Sequence, residues 1–144
     1  MRDAKELEES NKYQDFAMDV LLKDGFIVQC YTSYENQIHK GESRQGVEIK
    51  NDRLVSQTGN LCFEAYEKDK NGNWIESGIL RKDNTIFIFI GDYKRAWLVV
   101  KKQIKALLKK HEFQIYTTET SKGILIPVEF FDKYDSLVIK KYVF

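Results

Sequence analysis

The sequence predicts one mixed α/β domain spanning residues 1–144, and three observations carry that expectation. Two stretches place apolar residues at helical steps of three and four: Tyr13, Phe16, Ala17, Val20 and Leu21, then Val100, Ile104, Leu107 and Leu108. Between them, Thr85 to Gly91 is an apolar run of β-branched and aromatic residues, the composition of a strand buried on both faces. Gly46 to Lys68 reads as two further strands joined around Ser56-Gln57-Thr58-Gly59-Asn60. A chain of 144 residues is long enough for a single core, and 42% hydrophobic with 31% charged residues is the composition of a soluble globular protein.

In chain order, the first helical stripe should stop at Asp24-Gly25, where glycine takes a left-handed cap without strain. Phe26 to Tyr31 then reads as a strand, and Thr32 to Gln45 as a long polar loop of the kind that carries function. After the Gly46–Lys68 pair, Lys70-Asn71-Gly72-Asn73 signals a turn before Trp74. Arg95 to Val100 should pair with the Thr85–Gly91 strand through Gly91-Asp92-Tyr93-Lys94. The second helix follows, with Lys101, Lys102, Lys105, Lys109 and Lys110 on the rest of its surface. Gln114 to Thr118 and Ile124 to Ile126 form a late hairpin turned at Ser121-Lys122-Gly123, and Pro127 opens a short helix over Val128 to Tyr134.

Charge and cysteine content exclude several classes. A net charge of +1 supplies no general attraction for a polyanion, so any nucleic-acid surface must be a local patch. No apolar run is long enough to span a bilayer, and the first nine residues are too charged for a signal peptide. Cys30 and Cys62 each sit in an apolar strand pattern, and two isolated thiols make neither a disulfide framework nor a zinc site. These features point to a cytoplasmic protein with no membrane partner.

The chemistry concentrates in the Gly46–Lys68 pair. Side chains alternate along a strand, so Glu48, Lys50 and Asp52 share one face, and Cys62, Glu64, Tyr66 and Lys68 share a face of the second strand. If the two faces coincide, two acids and one or two lysines converge. Magnesium takes hard oxygen ligands, needs only one or two protein carboxylates and keeps several waters, so such a pair suits it. An ordinary half-exposed hairpin with cross-strand Glu–Lys pairs has the same spacing.

These segments give the chain its resemblance to a known family. Gly46-Val47-Glu48 is similar to a Gly-x-Asp strand and Glu64-Ala65-Tyr66 to a Glu-x-Lys strand. Trp74 to Ile79 with its Ser77-Gly78-Ile79, and Ser121-Lys-Gly-Ile-Leu-Ile-Pro127, match two further short elements. In these features the chain resembles the PD-(D/E)XK, restriction-endonuclease-like nuclease superfamily, in particular its small phage-type members. The resemblance implies a central mixed sheet flanked by helices and a metal-dependent nuclease hydrolysing phosphodiester bonds, of DNA in preference to RNA. It implies Mg²⁺ (or Mn²⁺) held by Glu48 and Glu64, with a helix acid that would be Asp15, or Gln14 beside it. Asp15 reads equally well as a solvated residue.

Two departures stand out. Glu48 replaces the usual Asp, and Tyr66 occupies the place of the usual lysine, where it supplies no cation at neutral pH. Lys50 or Lys68 would stand in, Lys50 being the nearer along its strand. In the polar loop, His39, Lys40 and Arg44 are the candidates to touch nucleic acid. A homodimer whose two sites cut opposite strands is compatible with this reading. The rival, kept alive by Tyr66, is an inactive copy of the fold that binds nucleic acid or a host protein without cutting.

Overall fold

The computed structural model describes residues 4–30, 36–37 and 40–144. Helix α1 (Ala4–Lys23) leads through the 40–46 segment to strand β1 (Val47–Asn51), the one-turn helix α2 (Val55–Thr58) and strand β2 (Asn60–Lys68). Next come β3 (Trp74–Glu76), a 3₁₀ turn at Gly78–Leu80, β4 (Phe87–Gly91), β5 (Arg95–Val100) and helix α3 (Lys101–Lys110). The chain continues with β6 (Gln114–Thr117), β7 (Ser121–Pro127), helix α4 (Glu129–Lys133) and β8 (Val138–Val143).

The strands form two four-stranded sheets instead of one. The first is mixed, in the order β1-β4-β5-β8, with β1 parallel to β4 and the other neighbours antiparallel. The second, β3-β2-β7-β6, is antiparallel throughout. The α/β class therefore holds, but β1 and β2 are not a hairpin. Val55 to Thr58 winds into α2, Gly59 caps it with φ 72°, and β2 departs into the other sheet to pair with β7. Val55 is fully buried in the core, so the segment read as a turn is anchored from inside.

Apolar alternation explains the layering. On one face of the first sheet, Val47, Phe89, Ala96, Leu98 and Tyr142 pack against Tyr13, Ala17 and Leu21 of α1. On its other face, Ile88, Ile90, Trp97 and Val99 meet Leu61, Phe63 and Ile126 of the second sheet, together with Ile104 and Leu107 of α3. The β4 and β5 strands are thus covered on both sides, as their unbroken apolar runs require. Gly25, at φ 86°, ends α1 as its position predicts.

Two expectations are corrected and two features lie beyond them. Phe26 to Tyr31 makes no strand over its described residues: Phe26 and Ile27 are exposed, and only Cys30 forms a single bridge, to Ser43. Among the described residues of the polar loop, Ser43 is fully buried, its hydroxyl accepting from Val47 N at 2.8 Å and donating to Val47 O at 2.7 Å. The late hairpin turns earlier than expected, because Ser121 N donates to Thr118 Oγ1 and Thr118 N to Ser121 O, leaving Ser121-Lys122-Gly123 inside β7. Strand β8, too charged to stand out in sequence, closes the far edge of the first sheet on β5.

Lys101 is the one lysine of α3 that is not solvated. Its ammonium donates to Asp83 Oδ1 at 3.0 Å and Arg81 O at 2.7 Å, with the two ionic side chains 7% and 4% exposed. Removing one partner of so buried a pair strands the other charge. Lys101→Ala should therefore lower stability by about 3–5 kcal/mol in urea unfolding, and Lys101→Met with Asp83→Leu should recover most of the loss.

Candidate functional site

Glycine makes the approach to β1 possible. Gly46 holds φ 73°, and a Cβ there would lie 2.6 Å from the carbonyl oxygen of Asn84. Its own carbonyl accepts from Ile86 N at 2.7 Å and Phe87 N at 3.0 Å, which sets the parallel register of β1 on β4. That register puts Val47 and Ile49 on the α1 side, and Glu48 and Lys50 opposite Ile88 and Ile90 on the other. Glu48 is 4% exposed, and its Oε1 lies 3.2 Å from Lys50 Nζ.

A second glycine secures Glu64. The bare Cα of Gly78 packs against the backbone of Glu64, where a Cβ would fall 2.1 Å from the Glu64 carbonyl oxygen. Ser77, fully buried, donates from its backbone to Ala65 O at 2.8 Å and from its hydroxyl to Glu64 Oε2 at 3.2 Å. Along β2, Leu61, Phe63 and Ala65 enter the core, so Cys62 and Glu64 occupy the opposite face. Asp52 ties the two sheets where the chain crosses between them: its Oδ2 accepts from Cys62 N at 2.8 Å and its Oδ1 from Leu54 N at 3.2 Å. Burial raises the Asp52 carboxyl above the ordinary carboxylate pKa, against those backbone hydrogen bonds, which lower it.

Three carboxylates act on one ammonium. The Glu48 carboxylate holds Lys50 above the ordinary lysine pKa; burial opposes it, and Glu64 and Glu42 add to the pull. Glu42 lies in the segment between Lys40 and Arg44. Burial pushes its carboxyl above the usual range, with Glu48 contributing repulsion, while Lys50 and Arg81 draw it back down. The Cys62 thiol borders the same group and is pushed up to about 11, chiefly by burial, then by Asp52 and Glu64. Glu48, Glu64 and Lys50 are therefore brought into one field, from two different sheets.

The remaining candidates separate. Lys68 is exposed at the far end of β2, its ammonium 5.1 Å from the centre of the Trp74 ring. Asp15 is exposed on α1 and acts on Cys30, beside Gln14, whose side chain hydrogen-bonds that thiol. It does not join the carboxylates around Lys50, and Glu42 does. Lys40 and Arg44 are exposed on either side of Glu42, and His39 lies outside the described residues. Sequence spacing missed Glu42 because a glutamate in a polar loop has no periodicity; the Gly41-Glu42-Ser43 step beside an apolar strand was its one trace.

Among the described residues, no group of three or more His, Cys, Asp or Glu side chains is arranged to hold a metal ion by itself. The donor set is nonetheless hard oxygen, which fits magnesium, an ion that needs one or two protein carboxylates and takes water or phosphate for the rest. No protein-family model, curated protein or solved structure matches the chain.

The site's charge has a signature in stability. The folded-state pKa of Glu42 exceeds its unfolded value, so the folded state binds the proton more tightly. Stability is then lost as pH rises from the unfolded pKa through the raised one. Glu42→Gln removes this penalty. Its melting temperature should exceed that of the wild type at pH 8, and the advantage should shrink towards pH 4, measured by circular dichroism.

Proposed function

We propose that the chain is a metal-dependent phosphodiesterase of restriction-endonuclease-like type, acting on DNA. The observation that carries this reading is the buried Glu48 carboxylate 3.2 Å from Lys50, with Glu64 held by Ser77 and acting on the same ammonium. Glu48 and Glu64 are the residues that would hold Mg²⁺ or Mn²⁺, and such an ion lowers the pKa of a bound water and polarises a phosphate. Lys50 keeps its proton at neutral pH, so its Nζ offers a fixed positive charge to offset the charge that builds on a phosphate under attack. Ser77 holds the Glu64 carboxylate through Oε2. The near-complete burial of Glu48 excludes water from one side of the pair.

A second reading is favoured by one feature of the same site. Glu48 already has a partner in Lys50 at 3.2 Å, so its burial is compensated without any ion, and Tyr66 supplies no cation from β2. On that reading the fold binds nucleic acid, or a host protein, and cuts nothing.

The two readings part on direct measurements. Plasmid DNA should be cleaved with Mg²⁺ or Mn²⁺ and left intact in EDTA. Glu64→Ala should abolish cleavage while retaining the wild-type circular dichroism spectrum, and cleavage surviving in that variant would remove Glu64 from the mechanism. A Mn²⁺ titration of thermal unfolding supplies the second arm. An ion bound by the native state at a hundredfold excess over its Kd stabilises by about 2.7 kcal/mol, a shift of several degrees. No shift and no cleavage together would overturn the catalytic reading and favour the binding protein.

A further inference from the structure

The lysines of α3 do not form an evenly solvated helix face. With the segment 81–85 they line a groove of about 620 Å³. Two of its basic groups are already matched, Lys101 by Asp83 and Arg81 by Glu67. The other five, Lys82, Lys102, Lys105, Lys109 and Lys110, have no carboxylate within ion-pair distance among the described residues. In a chain whose net charge is only +1, this concentrates uncompensated positive charge on one concave surface.

The wall of the groove carries a second, independent feature. Thr85 lines it, is 8% exposed, and its hydroxyl is buried with no hydrogen-bond partner among the described residues. A buried hydroxyl left unpaired costs stability. Asp83 Oδ1 accepts from Lys101 Nζ at 3.0 Å and from the Thr85 amide at 2.9 Å, which fixes this wall of the groove to the start of α3. The same segment abuts the start of α3, where Lys101 N donates to Ile86 O at 2.9 Å and no side chain caps the helix. The free amides of that first turn add the positive end of the helix dipole.

We propose that this groove is the seat of a nucleic-acid phosphate backbone, its phosphates running from the α3 N-terminus along the lysines. Ten helical residues extend about 15 Å, the reach of a few consecutive phosphates. Lys102, Lys105 and Lys109 lie at steps of three and four, one stripe along that length. Arg81, on the wall of the groove, is among the charges that act on Glu42. The nucleic-acid identity of the ligand rests on the function proposed above; the binding itself needs no cleavage.

Binding is therefore read with full-length Glu64→Ala protein in EDTA, by anisotropy of a fluorescent DNA duplex across a KCl series. Lys105→Ala with Lys109→Ala should weaken binding about tenfold at 0.1 M KCl and flatten the log Kd against log[KCl] slope by about 2. Lys5→Ala with Lys23→Ala on α1 should change neither. The free lysine variants should melt no lower than their parent, which separates lost contact from lost fold. Equal affinity and slope in parent and groove variants would overturn the proposal, as would an acidic peptide competing for the groove where duplex does not bind. Intact groove binding without metal-dependent cleavage in the wild type would overturn the catalytic reading alone. Cleavage that persists in the groove variants with unchanged KM would overturn the groove alone.

Discussion

The Glu48 carboxylate sits almost entirely out of water beside the apolar β4 strand, and Lys50, two residues along the same face, answers its charge at 3.2 Å. An isolated ionised carboxylate in that position would be too costly to keep, so the ion pair is the condition on which β1 can lie where it does. The pair is also unequal. Lys50 remains partly exposed and receives the influence of two further carboxylates, so the buried acid anchors an ammonium that faces outward into a shared negative field. Structure and candidate chemistry are in this sense the same interaction.

Around it, the molecule places glycine wherever another element must come close. Gly46 admits the 84–86 segment against β1, and Gly78 admits the Ser77 turn against Glu64. The cost of a left-handed backbone is avoided at both, and each close approach holds an acid in place. Glu42 is compensated only in part: Lys50 and Arg81 draw its carboxyl down, while burial leaves a net penalty on the charged form.

The groove along α3 shows the complementary device. Its positive charge is left unmatched except where Lys101 and Arg81 secure the fold. A single-signed surface on a nearly neutral chain costs self-repulsion, which the protein sustains locally by pairing its charges elsewhere, as in Lys140 with Asp24 and Arg53 with Glu9.

Much of the fold was legible because it rests on periodicity. The stripes of α1 and α3, the unbroken apolar β4 and β5, and the turn signals at Gly25 and Asn71-Gly72 are local patterns, and local sterics and burial enforce them. Glu48, Lys50 and Glu64 were legible for the same reason, since strand alternation alone puts each on its face. What sequence could not convey is partnership. Whether β2 pairs with β1 or with β7 depends on which distant apolar face is available to cover Leu61 and Phe63, and that was decided by α2 turning inward on Val55 and by Asp52 clasping the crossing. Charged β8 was hidden because an edge strand needs little apolar signal once β5 offers it a ladder. Alternation along the backbone fixes where a side chain points, whereas only packing between elements far apart in the chain fixes what it points at. That is why Glu42, and not Asp15, stands with Glu48 and Glu64.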